Sequence, residues 1–225
     1  MAAPGRGLPG RTGAAYTGAN MASDGFSGSP RGSSGSGHAP AIKRSNALEF
    51  ERYLDVFRDG TRAEVRARLP PDTVAAIFEG ARVGWVPVAH DGLFVDTVVD
   101  VLGREQARAA WRSFTAQMLA KTPLHRTIFE GAARLFGLDV GSFVRVIPLA
   151  YRQSFRDFAE LEVEREPGRA RVTLSDFAPE ARAHPTYFDQ FHGIFLGLFD
   201  LAKAEPDLDY RPDPNAGRLE AIFRW

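Results

Sequence analysis

The sequence predicts an α+β domain in which a helical bundle comes first and an antiparallel sheet unit of strand–strand–helix–strand–strand follows. Apolar residues recur at helical spacing through most of residues 45–158. Beyond residue 159 they alternate with polar residues at a period of two on both sides of one long amphipathic helix. Helices in one run and strands in another are typical of the α+β class.

The chain is expected to divide into a tail and one domain. Residues 1–44 are rich in Gly, Ser and Pro, and they cannot bury enough apolar surface to offset the entropy cost of ordering. We therefore predict a disordered tail at 1–44. A single domain is predicted at 45–225, with its helical half at 45–158 and its sheet-containing half at 159–225.

Helices in the first half are predicted where apolar spacing near 3.6 residues meets a capping residue at the start and Gly or Pro at the end. Two local features interrupt this pattern: His90-Asp91-Gly92 is expected to be a turn, and Pro148 is expected to kink the last helix. The predicted helices span 45–57, 61–69, 72–79, 93–102, 104–119, 123–136 and 142–158.

The sheet half is predicted from strict alternation. Residues 161–164 alternate apolar and acidic side chains, Pro167-Gly168 forms a turn, and Val172 and Leu174 continue the alternation, which predicts a hairpin. A short strand is expected at 208–210, and a last strand is expected to run from 219 to the C-terminus.

The central helix of this half is predicted at residues 186–205, whose sequence is TYFDQFHGIFLGLFDLAKAE. Thr186 and Asp189 have the spacing of a capping box, and Pro206 is expected to end the helix. Gly193 and Gly197 lie four residues apart on its less apolar side. They predict the close approach of another helix or strand, or of a ligand.

Composition excludes several function classes. The 28 Lys and Arg residues balance 28 Asp and Glu residues, so no general attraction to nucleic acid is expected. The chain has no cysteine, which excludes disulfides, thiolate metal sites and cysteine nucleophiles. No apolar run is long enough to predict a membrane span, and no secretory signal is evident at the N-terminus, so a cytoplasmic location is expected.

Catalytic and metal signatures are not found in the sequence. The histidines lack the HxxxH and HExxH spacings of metal sites, and there is no GxGxxG, Walker or GxSxG motif. His90 beside Asp91 suggests an acid–base pair, but a surface or core position is the simpler interpretation. We predict no catalytic residue and no metal ligand.

The candidate binding residues are aromatic and basic. More aromatic side chains are present than a small core needs, which predicts an apolar cavity between the helices and the sheet. Its predicted lining is Trp111, Phe129, Tyr151, Phe191, Gly193, Phe195 and Gly197. Arg145, Arg152 and Arg156 fall on roughly one face of the predicted last helix, where they could contact an anion or form surface ion pairs.

Residues 45–225 also resemble known families. The segment YRQSFRDF at 151–158, the hairpin ending at Leu174-Ser175-Asp176, and FHGIFLGLFD at 191–200 are similar to a myxobacterial family without an established activity. The same element order distantly resembles haem nitric-oxide-binding domains and 4-vinyl-reductase-type small-molecule-binding domains. The haem family carries Tyr-x-Ser-x-Arg, whereas Tyr151, Ser154 and Arg156 are spaced one residue longer in a predicted helix.

Three functions remain open from the sequence. The main expectation is a non-enzymatic regulatory or sensory domain that binds a small apolar ligand or a protein partner. The resemblance implies, as an alternative, a sensor of haem or another cofactor, with His125 or His192 as the iron ligand. The third is an enzyme of undetected type, which would need a cleft with two or more titratable groups of shifted pKa.

Overall fold

The computed structural model describes residues 39–121 and 139–225, with the backbone alone for residues 118–121. Residues 1–38 of the predicted tail and the predicted helix at 123–136 lie outside these ranges. The described elements are β1 (Ala41–Lys43), α1 (Arg44–Phe57), α2 (Thr61–Arg68), α3 (Pro71–Phe78), β2 (Trp85–Pro87), α4 (Val88–Leu102), α5 (Arg104–Lys121), α6 (Val140–Ser154), β3 (Phe155–Arg156), β4 (Glu160–Glu166), β5 (Arg169–Ser175), α7 (Pro179–Arg182), α8 (Thr186–Ala202), β6 (Leu208–Asp213) and β7 (Arg218–Arg224). This order confirms the predicted α+β class.

The larger sheet has the strand order β4–β5–β7–β6, and all neighbouring strands are antiparallel. Leu174 of β5 lies opposite Leu161 on one side and Leu219 on the other. Alternate side chains of β5 and β7 are buried because α8 covers this face, where the Phe195 and Phe223 ring centroids are 5.3 Å apart. The alternation in the sequence therefore predicted the first hairpin and the presence of the two strands that form the second.

A smaller sheet, with the order β2–β1–β3, was not predicted. Ile42 lies opposite Val86 on one side and Phe155 on the other. Residues 41–44 were predicted to belong to the tail and residues 155–158 to the last helix, and both assignments were wrong. Strands of two or three residues contain too few positions to show a period of two.

Two predicted helix boundaries in the first half were also wrong. Helix α4 begins at Val88 and runs through the expected turn at His90–Gly92. Gly92 allows the ring of His184 to pack against this helix, since a Cβ there would lie 2.1 Å from His184 Cδ2. Helix α6 begins with an Asp139 cap, whose side chain accepts a hydrogen bond from the Ser142 N–H at 2.8 Å, and ends at Ser154.

The predicted capping box of α8 was wrong as well. Pro185 is the N-cap, and no side chain caps the helix. The Thr186 hydroxyl donates instead to Asp96 of α4, and Asp189 pairs with Arg108 of α5. The helix ends at Ala202, followed by the C-cap Lys203 with a left-handed φ of 54°, rather than continuing to Glu205. Thr186 and Asp189, which the local pattern assigned to the cap, therefore form contacts with other helices instead.

Helices α5 and α8 pack with close backbone contact. A Cβ at Gly193 would lie 2.6 Å from the Arg108 carbonyl oxygen, and one at Gly197 would lie 2.6 Å from that of Arg112. The approach predicted at these two glycines is therefore that of another helix. Among the described helices, none is long and apolar enough to cross a membrane.

Candidate functional site

A cavity of about 160 Å³ lies between the helices and the larger sheet. Helices α1, α4, α5, α6 and α8 contribute to its wall, and the sheets close one side. Its apolar lining consists of Ile42, Ala47, Phe50, Phe94, Trp111, Phe114, Ile147, Ala150, Tyr151, Phe155, Leu161, Leu174, Phe191, Ile194, Phe195 and Leu198. Apolar side chains dominate this wall, so the cavity suits a ligand with an apolar body.

The lining residues of α6 and α8 lie on one face of each helix. Helix α8 contributes residues 191, 194, 195 and 198, and α6 contributes residues 147, 150, 151 and 154. Both sets follow the spacing of three and four residues that defines one face of a helix. The same amphipathic faces that build the core therefore leave the cavity where they do not meet.

Four of the lining rings form a contiguous group, which we call the α1/α5 aromatic group: Phe50, Phe94, Trp111 and Phe114. Phe50 is at its centre. Its ring stacks on Trp111 at 5.5 Å between centroids and meets Phe114 edge-on at 5.1 Å and Phe94 edge-on at 6.2 Å. Such pairs fix ring orientations beyond simple burial.

A second contiguous group of lining rings consists of Tyr151, Phe155, Phe191 and Phe195. Tyr151 stacks on Phe155 at 4.8 Å, and Phe155 lies 5.8 Å from Phe191. The Tyr151 hydroxyl donates to the Ala159 carbonyl oxygen at 2.8 Å. Burial raises the pKa of Tyr151, so its phenol stays protonated.

Asp91 is the one charged residue among the described residues that line the cavity. Its side chain is buried, and Tyr187 donates a hydrogen bond to its Oδ2 at 2.9 Å. Burial raises the pKa of Asp91 to about 6, while the Tyr187 hydrogen bond and the nearby His184 oppose that rise. Near neutral pH the cavity wall therefore presents a carboxylate.

Two other lining residues carry buried polar atoms without a hydrogen-bond partner in the described part of the chain. These atoms are the indole nitrogen of Trp111 and the side-chain oxygen of Gln190. Unpaired buried polar atoms are uncommon because each costs free energy. Their presence in the lining residues is consistent with a ligand that hydrogen-bonds as well as fills space.

The predicted lining residues fall into three groups. Trp111, Tyr151, Phe191 and Phe195 do line the cavity. Gly193 and Gly197 instead contact the backbone of α5. Phe129 lies outside the described residues, and ligand binding at the other four remains a prediction.

The predicted anion site is not assembled on one helix. Arg145 and Arg152 lie on α6 and are exposed, whereas Arg156 lies in β3 beyond the helix end. The Arg156 guanidinium sits 5.0 Å from the centroid of the Trp85 ring, and Lys43 sits 4.9 Å from the same ring. Because α6 ends four residues early, Arg156 cannot share its face, and that part of the prediction was wrong.

The histidines do not reach the cavity in the described part of the chain. His192 stacks on Tyr210 with ring centroids 4.4 Å apart, and burial is the main cause of its lowered pKa. His184 pairs with Asp96 at 2.6 Å, and His90 contacts Thr73. His125 lies outside the described residues. Within residues 39–117 and 139–225, no group of three or more His, Cys, Asp or Glu side chains could hold a metal ion.

An acid–base site is not assembled either. His90 and Asp91 are consecutive but point to different partners, Thr73 and Tyr187. Asp91 and Tyr151 both line the cavity with a raised pKa, and burial is the first cause of each rise. The Tyr151 hydroxyl is engaged by Ala159, so no described contact couples it to Asp91. The enzyme alternative therefore gains no support from their geometry.

Sequence reasoning missed Phe50 and the position of Asp91. Phe50 lies three residues after Ala47 and four before Leu54, and all three are buried on one face of α1. That periodicity was a usable signal. No local signal could reveal the burial of Asp91, because its partner Tyr187 is 96 positions away in the chain.

No protein-family model matches the sequence, and no curated protein matches it. Several solved structures are similar in fold. An H-NOX protein variant from K. algicida, unliganded in the Fe(II) state, is 9% identical with a TM-score of 0.52, and the match covers 81% of this chain and 96% of that chain. A structure from work on haem distortion in the H-NOX family is 12% identical with a TM-score of 0.53, covering 82% and 95%.

A third similar structure is a Cs H-NOX variant that carries 4-cyano-L-phenylalanine. It is 11% identical with a TM-score of 0.53, and the match covers 81% of this chain and 96% of that chain. At these identities the likeness concerns the backbone and not the site. The chain therefore has a fold like that of the H-NOX domains.

Proposed function

We propose that this chain is a small-molecule sensor domain whose ligand occupies the cavity between the helical half and the larger sheet. The observation that carries the proposal is the cavity itself, which is lined mainly by apolar side chains from five helices. Apolar side chains that line such a cavity make fewer packing contacts than those of a filled core. A ligand that fills it would recover them.

The size of the cavity limits the ligand. Its volume of about 160 Å³ is below the range of roughly 300–1,000 Å³ that is usual for drug-sized ligands. An engineered cavity of about 150 Å³ in another protein binds benzene. We therefore propose a ligand with a single ring or a short aliphatic body.

Helix α8 would report occupancy. Phe191, Ile194 and Phe195 of this helix line the cavity, and Phe199 on the next turn stacks on Phe223 of β7 at 5.8 Å. A ligand that displaced α8 would therefore also move its contact with the sheet. This contact is the route by which we propose that binding changes the surface of the domain.

A haem sensor is the second candidate. One of the similar structures comes from work on haem distortion in the H-NOX family, so the likeness favours this alternative over an unspecified regulatory domain. The described residues, however, do not fit the group. The described lining holds no His, Cys or Met, and its Tyr151 is kept protonated by burial. His125, outside the described residues, is the remaining predicted ligand.

One pair of measurements separates the two candidates. The full-length protein is titrated with toluene by calorimetry, and separately with haemin while the absorption spectrum is recorded. Toluene binding that is lost in Ala150→Leu, which fills the cavity, supports the apolar site. Ala75→Leu on the exposed side of α3 is the matched control and should leave binding unchanged.

The spectrum decides the haem candidate. A sharp Soret band that is lost in His125→Ala and kept in His192→Ala would favour haem and displace the apolar ligand. A protein that binds toluene and gives no such band would retain the first proposal. A protein that binds neither would overturn both.

A further inference from the structure

We infer that the cavity selects a small aromatic ammonium compound, with the Asp91 carboxylate as its counter-ion and the α1/α5 aromatic group around its ring. This inference rests on the proposed function, because it takes the cavity to be a ligand site. It adds the charge and the chemical class of the ligand. It also assigns binding roles to Asp91 and Tyr187.

In the described part of the chain, Asp91 has no Lys or Arg partner. The residue is only 4% exposed, and among the described residues only Tyr187 donates a hydrogen bond to its carboxyl. No described Lys or Arg side chain forms an ion pair with it. A buried carboxylate without a cation is unfavourable unless a partner enters its site, and a ligand ammonium would be that partner.

The fold elsewhere pairs its buried carboxylates. Glu51, which is 1% exposed, accepts hydrogen bonds from Arg62 and Arg66. Asp189, which is 6% exposed, pairs with Arg104 and Arg108. Asp91 is the buried acid without such a partner in the described part of the chain, and it is also the one that lines the cavity.

Aromatic rings line the cavity together with Asp91. Phe50, Phe94, Trp111 and Phe114 line the same cavity as Asp91, and Phe50 contacts the other three. The negative face of an aromatic ring attracts cations, and cages of such rings recognise ammonium groups. They also provide stacking surface for a ligand ring. A carboxylate together with an aromatic wall therefore suits an aromatic amine better than a neutral hydrocarbon.

Tyr187 would position the carboxylate. Its hydroxyl holds Asp91 Oδ2 from α8, which leaves the other oxygen free of described donors. The unpaired Gln190 oxygen is a second acceptor in the lining residues. A hydroxyl ligand could serve these acceptors as well as the Trp111 N–H, so an alcohol of the same shape is the competitor that the experiment must include.

The experiment compares three ligands of one shape: toluene, benzyl alcohol and benzylamine. Their dissociation constants for the full-length protein are measured by calorimetry at pH 7.5, with the melting temperature as a check of folding. We expect benzylamine to bind at least about tenfold more tightly than toluene, which corresponds to about 1.4 kcal/mol. Benzyl alcohol should fall between them.

Single-residue variants then test whether Asp91 and Tyr187 cause the preference for benzylamine over toluene. Asp91→Asn keeps the shape and the Tyr187 contact but removes the charge, so it should bind toluene normally and lose the preference for benzylamine. Asp100→Asn removes an exposed carboxylate from the same helix and should keep that preference. Tyr187→Phe should weaken benzylamine binding and leave toluene binding unchanged.

The outcomes separate the two proposals. If toluene binds and benzylamine binds no better, the ammonium inference is overturned while the proposed function stands. The same holds if Asp91→Asn keeps the preference. If no ligand binds to the folded wild-type protein, the proposed function fails and the ammonium inference fails with it.

Discussion

The Arg112 guanidinium and the Asp200 carboxylate meet through two parallel hydrogen bonds, Nε to Oδ2 and Nη2 to Oδ1, each 2.7 Å long. The pair joins α5 to α8 across 88 positions of the chain. Nearer the start of both helices, Arg108 and Arg104 pair with Asp189. The close backbone contact between the two helices is thus flanked by ion pairs.

Replacement of Arg112 by lysine should weaken this contact measurably. Lysine keeps the charge but cannot form two parallel hydrogen bonds with a carboxylate. Both side chains are about one-third exposed, so we expect Arg112→Lys to lower the free energy of unfolding by only about 1 kcal/mol. Urea denaturation measures this change, and Arg82→Lys, in an exposed pair with Glu49, is the control. Equal losses in both variants would contradict the prediction.

A Cβ at position 197 should destabilise the protein. Helix propensity alone predicts that Gly197→Ala stabilises by about 1 kcal/mol. The new Cβ would lie 2.6 Å from the Arg112 carbonyl oxygen and 2.7 Å from Thr115 Cβ, so the helices must separate. We expect a net loss of roughly 1–3 kcal/mol in urea denaturation. A gain in stability would contradict the prediction and would mean that α5 and α8 can separate at little cost in free energy.

Loss of the Asp91 charge should stabilise the ligand-free protein in a pH-dependent way. The folded-state pKa, about 6, is above the ordinary 3.8, so the folded state binds the proton more tightly. Stability therefore falls as the pH rises from about 4 to about 6, and the full penalty is present above that range. At pH 8, Asp91→Asn should raise the free energy of unfolding by about 3 kcal/mol.

The measurement is a series of denaturation curves from pH 4 to pH 8. The difference in unfolding free energy between Asp91→Asn and wild type should be small at pH 4 and reach its plateau above pH 6, because the carboxyl titrates between about 3.8 and about 6. Besides burial, the groups that act on this carboxyl are Tyr187 and His184. Asp100→Asn should show no such profile. A difference that is independent of pH would mean that Asp91 has the same pKa in the folded and unfolded states, and it would contradict the prediction.

Glu51 should be the most sensitive acid of α1. It is 1% exposed, and its Oε1 accepts hydrogen bonds from Arg62 Nε and Arg66 Nε, each at 2.5 Å. Glu51→Gln removes the charge that both guanidinium groups need, and we expect a loss of about 2–3 kcal/mol. Glu64→Gln, at an exposed pair with Arg68, should cost less than about 0.5 kcal/mol. Thermal melts of the two variants would contradict this ranking if their losses were similar.

Sequence patterns predicted the parts of the fold that depend on local spacing. The alternation around Val172 and Leu174 predicted the hairpin, and the stripe through Phe191 and Leu198 predicted the central helix. Contacts between distant segments could not be predicted in this way. Thr186 was assigned to a cap because Asp96, its actual partner, is 90 positions away.

In the candidate site, too, local spacing predicted some residues, whereas contacts between distant segments were missed. Trp111 and Phe191 were expected in the lining because aromatic side chains at helical spacing face inward. Asp91 was expected at a turn because Asp-Gly favours turns. Its burial follows from the packing of α4 on α8. This contact between distant segments cannot be predicted from the residues next to Asp91 in the sequence.

The glycines at 193 and 197 also constrain how this sequence can change. Every single-nucleotide replacement of a glycine codon that alters the residue introduces at least a Cβ, and each such atom would meet the α5 backbone at 2.6 Å. No single-nucleotide change that replaces either glycine is therefore expected to leave the stability of the protein unchanged. A lineage that changed either glycine would need a compensating shift along α5, so glycine is expected to persist at these two positions while exposed residues elsewhere in the described chain vary.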